Sequence, residues 1–190
     1  METKSLIQKH LLDSRILIDF ITEEMVDKII QASGMVIDTL RKDGCIAFCG
    51  NGGSAAECEH LAGEFIGRFL RDRHPWNAVS FTASTSILTS IANDYGYQNI
   101  FARQITAGLR IDDVLFILST SGNSRNCIVA AEVASQCGVK TIGLTGRNGG
   151  ELRDLVDLWL GVPSDDTPRI QEAHLIIGHI ICDIVERTLS

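Results

Sequence analysis

Cys45-Ile46-Ala47-Phe48-Cys49-Gly50-Asn51-Gly52-Gly53-Ser54-Ala55 is the stretch on which the fold turns. Its first five residues are apolar without alternation, the pattern of a short strand buried on both faces. Glycines at 50, 52 and 53 then supply a tight turn that opens a helix, so the stretch reads as a strand-turn-helix unit.

Further short apolar runs follow at Ala78 to Phe81, Val114 to Leu118, Thr141 to Leu144 and Leu158 to Val162, most of them trailed by a turn-forming loop and a helical stretch. Such alternation predicts βαβ units and a parallel sheet covered on both faces, an α/β fold. A final helix is expected from about Arg169 to Leu189.

Upstream, the first forty-odd residues lack proline and, before Gly44, carry only Gly34; apolar residues recur at helical spacing, as in Ile7, Leu11 and Ile18, then Met25, Ile29, Val36 and Leu40. Two helices are predicted. Their break is expected between Ile21 and Glu24, where Thr22 ahead of Glu23 and Glu24 suits a helix N-terminus. The resulting hairpin would dock on the sheet or on a second subunit. No linker divides the chain, so residues 1–190 are expected to form one domain, with the helical pair in 1–43 and the αβα core in 44–190.

The composition narrows the function. At 45% hydrophobic and 22% charged residues the chain is ordinary for a globular protein, and its net charge of −7 offers no basic surplus for a nucleic-acid backbone. The start, METKSLIQKH, has no signal-peptide core, and no apolar run approaches the roughly 20 residues that span a bilayer; no membrane partner and a cytoplasmic location are expected. Six cysteines without a CxxC pairing suit a reducing compartment and no disulfides.

Parallel sheets bind ligands beyond the carboxyl ends of their strands, so the loops there matter most. Gly50-Asn51-Gly52-Gly53-Ser54-Ala55 can turn backbone N–H groups toward an anion. It also fits a GxGxxA dinucleotide fingerprint, but the acidic residue such sites need after the second strand is missing from Ala78-Val79-Ser80-Phe81-Thr82, so no nucleotide cofactor is expected. Ser119-Thr120-Ser121-Gly122-Asn123-Ser124 sets four hydroxyls and a glycine between a strand and a helix, enough to hold one phosphate. Taken alone each loop is equally a plain turn, with Ser124 as an N-cap; two of them on one sheet favour ligand binding. Thr145-Gly146-Arg147-Asn148-Gly149-Gly150 has no cluster of hydroxyls and reads as a structural turn.

Groups for chemistry lie nearby. His60 and Glu64 share one helix face four residues apart, suited to a general base or a shared metal. Gln171, His174 and His179 sit on the last helix; a histidine among isoleucines is more often a hydrogen-bonded core residue than a catalyst. Gln171 and His179 stand roughly 12 Å apart along that helix, so a site using both must span that length or draw on another subunit. Asn93-Asp94, an ordinary helix terminus by itself, is a candidate for sugar hydroxyls.

Together Gly50 to Ser54, His60 with Glu64, Asn93-Asp94, Ser119 to Ser124 and Arg169-Ile170-Gln171-Glu172 resemble the SIS (sugar isomerase) family, nearest to its branch acting on seven-carbon sugar phosphates, over nearly the whole chain. The resemblance implies a five-stranded parallel sheet in a three-layer, flavodoxin-like αβα sandwich, a homotetramer with active sites at subunit interfaces, and an aldose-ketose isomerase. The implied reaction takes sedoheptulose 7-phosphate to D-glycero-D-manno-heptose 7-phosphate through an enediol, for lipopolysaccharide or other surface glycans. It also implies catalysis by Glu64 and His179, and zinc on His60, Glu64, Gln171 and His179. Substrate contacts are implied at Asn51, Gly52, Gly53, Ser54, Glu64, Asn93, Asp94, Ser119, Thr120, Ser121, Ser124 and Gln171. The alternative is a non-catalytic SIS sugar-phosphate sensor or scaffold, like the DnaA initiator-associating protein. That protein lacks equivalents of Glu64 and His179 and differs from Gly52-Gly53-Ser54 and Thr120-Ser121-Gly122; on each count this chain sides with the enzymes.

Overall fold

The apolar runs become the strands β1 (Ile46–Gly50), β2 (Ala78–Ser80), β3 (Val114–Ser119), β4 (Lys140–Thr145) and β5 (Leu158–Gly161) of one parallel sheet, ordered β2-β1-β3-β4-β5. This computed structural model describes residues 3–190. β1 and β3 are buried along their whole length, as unalternating apolar strands require. Residue parity divides the core: Ile46, Phe48 and Phe116 face one layer, while Ala47, Cys49, Leu115 and Ile117 face the other.

The first layer comprises α1 (Thr3–Glu24), α2 (Val26–Arg41), α3 (Gly53–Ile66) and α7 (Thr167–Leu189); the second holds α4 (Thr85–Tyr95), α5 (Ala102–Gly108) and α6 (Arg125–Gln136). The expected αβα sandwich is therefore present, with its order reversal between β1 and β3. That reversal opens a crevice at the carboxyl ends of those two strands, where the glycine loop and the serine loop both emerge.

The amino-terminal helices differ from the expected hairpin. The break falls at Met25, which has no side-chain cap, and backbone bonds run through it from Met25 N to Ile21 O and from Ile29 N to Met25 O. Thr22 does not start a helix; its hydroxyl donates to Ile18 O inside α1. The result is a kinked, nearly continuous helix whose two halves both pack on α7. Leu17 and Ile21 are the only residues of α1 that are buried, whereas Leu6, Ile7, Leu11, Leu12 and Ile16 are exposed. All six cysteines are free thiols, and among the described residues no helix is long and apolar enough to cross a membrane.

Candidate active site

The glycine loop is held rigidly. Asn51 and Asn126 exchange side-chain amide hydrogen bonds of 2.8 Å in both directions, and the Tyr97 hydroxyl donates to Asn51 Oδ1 at 2.8 Å. Within the chain the Asn51 amide, expected to meet substrate, thus braces the crevice between β1 and β3. Gly52 takes φ +58° at the start of α3, and Gly53 lies against the Gln171 amide of α7. Ser54 follows, buried in the first turn of α3.

The serine loop is equally constrained. Gly122 takes φ +67°, and a Cβ there would lie 1.8 Å from the Gly149 carbonyl oxygen. The segment of residues 145–152 buttresses it from behind: Gly146 N donates to Thr120 O at 2.9 Å and Leu152 N to Gly122 O at 3.0 Å. Ser121 Oγ accepts from Asn123 N, and Ser119 Oγ donates to Ser124 Oγ at 3.3 Å. Ser124 occupies the N-cap position of α6, yet its hydroxyl caps nothing and stays available to a ligand. A cavity of about 270 Å³ opens beside Thr120, Ser121, Gly146 and Thr167.

Beneath the buttress His174 is fully buried. Its Nε2 donates to Thr145 O at 3.3 Å, and Nδ1 has no partner. Burial, slightly opposed by that bond, pushes its pKa down from 6.5 to about 4, so the folded protein holds it neutral. The unfolded chain therefore binds the extra proton between those values. The stabilisation is fully present above pH 6.5 and is lost as pH falls toward 4, by about 3 kcal/mol in all. Glu57 acts oppositely: burial raises its pKa from 4.5 to about 7, which weakens stability as pH rises through that window. Urea unfolding of wild type and His174→Gln between pH 4 and pH 7.5 isolates the histidine. The wild-type curve is expected to fall more steeply on acidification; parallel curves would count against this account.

The chemistry-bearing side chains meet where α3 crosses α7. His60 Nε2 lies 2.8 Å from His179 Nε2 and 3.4 Å from Glu64 Oε1, and one ligand atom from each of the three falls within 4.8 Å of the others. Burial lowers the His179 pKa, His60 lowers it further and Glu64 opposes both, so the neutral imidazole is favoured. Phe69 stacks on the His179 ring at 5.5 Å between centroids. Two imidazole nitrogens and a carboxylate oxygen so placed match the donor set of a zinc-type ion. Gln171 lies two turns earlier on α7 and shares with His60 the wall of a 450 Å³ cavity.

A buried ion pair fixes this corner. Glu186, at the end of α7, accepts from the backbone N–H groups of Phe69, Leu70 and Arg71 and from Arg73 Nε at 3.1 Å. Burial alone would raise its pKa, but these four donors outweigh it and hold the carboxyl below its usual range. Arg73 in turn donates to the carbonyl oxygens of Glu64 and Phe65, pinning the end of α3 that carries Glu64.

Asn93 and Asp94 stand exposed near the end of α4, where Asn93 Nδ2 donates to Asp94 Oδ1. Among the described residues no hydrogen bond joins them to either loop, although Gly96, at φ +86°, turns the chain from them toward Tyr97. The sequence reading does not reach Tyr97, Asn126, Arg73 or Glu186. Asn126 had a signal, as a polar residue on the buried face of a helix. The Arg73–Glu186 pair had none, being 113 residues apart.

The sequence pattern described as the SIS domain matches residues 11–146. The chain belongs to that family. A phosphoheptose isomerase of Helicobacter pylori is 47% identical over 182 residues, covering 96% of this chain and 95% of its own. The solved phosphoheptose isomerase structure from Neisseria gonorrhoeae aligns with a TM-score of 0.92 at 37% identity, over 97% of this chain and 98% of that one. One from Francisella tularensis aligns at 0.95 and 33% identity, over 98% and 100%. Within the SIS family, these matches place the chain among the phosphoheptose isomerases.

Proposed function

We propose that this enzyme, a sugar-phosphate isomerase, interconverts sedoheptulose 7-phosphate and D-glycero-D-manno-heptose 7-phosphate. The observation that carries the reading is the meeting of His60, Glu64 and His179 where α7 crosses the helix that opens at the glycine loop. Ketose and aldose differ by the position of two hydrogens, so the reaction needs a base for the carbon-bound proton and a group that moves protons on the two oxygens. Glu64 takes the proton from one carbon and returns it to its neighbour through an enediol, while His179 serves the oxygens. Ser119, Thr120, Ser121 and Ser124 hold the phosphate. That anchorage, remote from the reacting carbons, fixes their geometry.

Zinc bound by His60, Glu64, Gln171 and His179 would polarise the sugar carbonyl. The residues themselves orient the chain: Gly52, Gly53 and Ser54 line the glycine loop, and Asn93 and Asp94 meet sugar hydroxyls once subunits assemble. The exposed apolar residues of α1 support a homotetramer in which that face is covered. We place the reaction in the cytoplasm, where six free thiols stay reduced, and its product in heptose supply for lipopolysaccharide or other surface glycans. Residues 1–190 act as one domain in this reading, because α1 and α2 share a core with the sheet.

The test is incubation with sedoheptulose 7-phosphate, with and without zinc, followed by NMR for the aldose. Turnover is expected; binding without turnover would make the chain a sensor or scaffold. In the same assay the double variant Ser121→Ala, Ser124→Ala should raise the apparent KM roughly tenfold to a thousandfold, as expected for two lost bonds to a charged phosphate. An unchanged KM would place the phosphate elsewhere.

A further inference from the structure

The serine loop offers a phosphate hydroxyls and no charge, while the chain as a whole carries a net −7 that repels an anion. A phosphate ester brings roughly −1.5 to −2 at neutral pH, so its binding gains most from a cation placed at the loop. Among the described residues the 270 Å³ cavity beside Thr120 and Ser121 has one cation in its wall, Arg147.

The sequence reading treats the segment of Arg147 as a plain turn, and its backbone does serve as a buttress. The side chain is not used up by that role. Arg147 Nε donates to Asp165 Oδ2 at 3.1 Å and Nη2 to Pro163 O at 2.6 Å, which leaves Nη1 without a partner among the described residues. With the side chain 53% exposed, a ligand in the cavity can reach the guanidinium. Asp165 is more exposed still and lines the same cavity; ion pairs so open to water are weak, so the guanidinium keeps its pull on a dianion.

The guanidinium is also held in place. Arg147 N donates to Ser164 O at 3.0 Å, and Gly146 N, one residue earlier, donates to Thr120 O at 2.9 Å, so the side chain springs from the immediate flank of the serine loop. A planar donor fixed before binding loses little freedom when its ligand arrives. Arg125, the cation on the other flank, is exposed and makes no bond among the described residues. It lines a different cavity, of 870 Å³, with Ser124, and it would have to be ordered by the ligand.

We propose that Arg147 is a further phosphate-binding residue, its free Nη1 donating to the phosphate of the sugar that the serine loop holds through Thr120 and Ser121. This rests on the sugar-phosphate reading above.

Wild type, Arg147→Ala, Arg125→Ala and the double variant Ser121→Ala, Ser124→Ala are compared by calorimetric titration with inorganic phosphate at low and high salt, and by turnover of sedoheptulose 7-phosphate. Arg147→Ala is expected to weaken phosphate binding roughly tenfold to a hundredfold, as for a lost hydrogen bond to a charged group. Its binding should also become less sensitive to salt, and its KM should rise with kcat nearly unchanged. Arg125→Ala should stay within about threefold of wild type, as for an exposed charge that touches no ligand. Unchanged phosphate affinity in Arg147→Ala, with the serine variant weakened, overturns the proposal and leaves the serine cradle standing. Equal losses in Arg147→Ala and Arg125→Ala overturn it too, because they would mark the general field of the protein and not a contact. So does weaker binding that keeps the wild-type salt dependence, which would mark a packing role for the side chain. Should the wild type bind the sugar phosphate without turning it over, the isomerase reading fails while the phosphate titrations still decide the role of Arg147.

Discussion

Glu64→Gln is expected to lower kcat by about a hundredfold to ten-thousandfold, the usual contribution of a general acid or base. The substitution keeps size and shape and removes the charge and the basicity. The fold has little reason to change, because what anchors this end of α3 is the Glu64 carbonyl oxygen, held by Arg73 at 2.8 Å, and not its side chain. The melting temperature should therefore stay close to that of the wild type. KM should move much less than kcat, since the phosphate is held by the serine loop. The carboxylate also stands 3.4 Å from His60 in the candidate metal trio, so lost metal and lost base must be told apart. Measuring bound zinc alongside the rate does this. A variant that retains zinc and is still slow has lost its base; one with near-normal turnover would move that role off Glu64.

What the sequence disclosed depended on how local each feature is. The strands were legible because unalternating apolar runs between turn residues have few other readings, and β1 and β3 are indeed buried throughout. The two loops were legible because glycine and serine at strand ends carry their own chemistry. His60 with Glu64 was legible from helix spacing, but bringing His179 to 2.8 Å from His60 depends on how α3 packs on α7, across 119 residues of chain. A comparable separation, 113 residues, hid Arg73 and Glu186. Thr22 misled because a hydroxyl before two glutamates suits a helix start, whereas here it bonds back to Ile18 O within an unbroken turn. Asn51 was singled out for substrate, but its side chain is committed to Asn126 and Tyr97, a brace visible only once β1 and β3 lie side by side.

Gly122→Ala should cost roughly 3–5 kcal/mol of stability and abolish phosphate anchorage, and Gly52→Ala shows why. Both glycines have positive φ, +58° at Gly52 and +67° at Gly122, and holding an L-residue in such sparsely populated backbone regions costs about 1–3 kcal/mol. Around Gly52 an added Cβ meets nothing within 4 Å, so the backbone term should be its whole cost. At Gly122 the added atom would collide with the Gly149 carbonyl and with Gly150 N, backbone that no rotamer change can move aside. Relief requires the serine loop to pull away from residues 145–150. That breaks the bond from Leu152 N to Gly122 O and shifts the hydroxyls of Ser121 and Ser124 out of register with a phosphate. Urea unfolding of the two variants, paired with titration by inorganic phosphate, reads both consequences. A larger stability loss and absent phosphate binding in Gly122→Ala alone are expected; equal losses in the two variants would mean that the loops do not pack this closely, and the buttress would cease to explain how the phosphate is held.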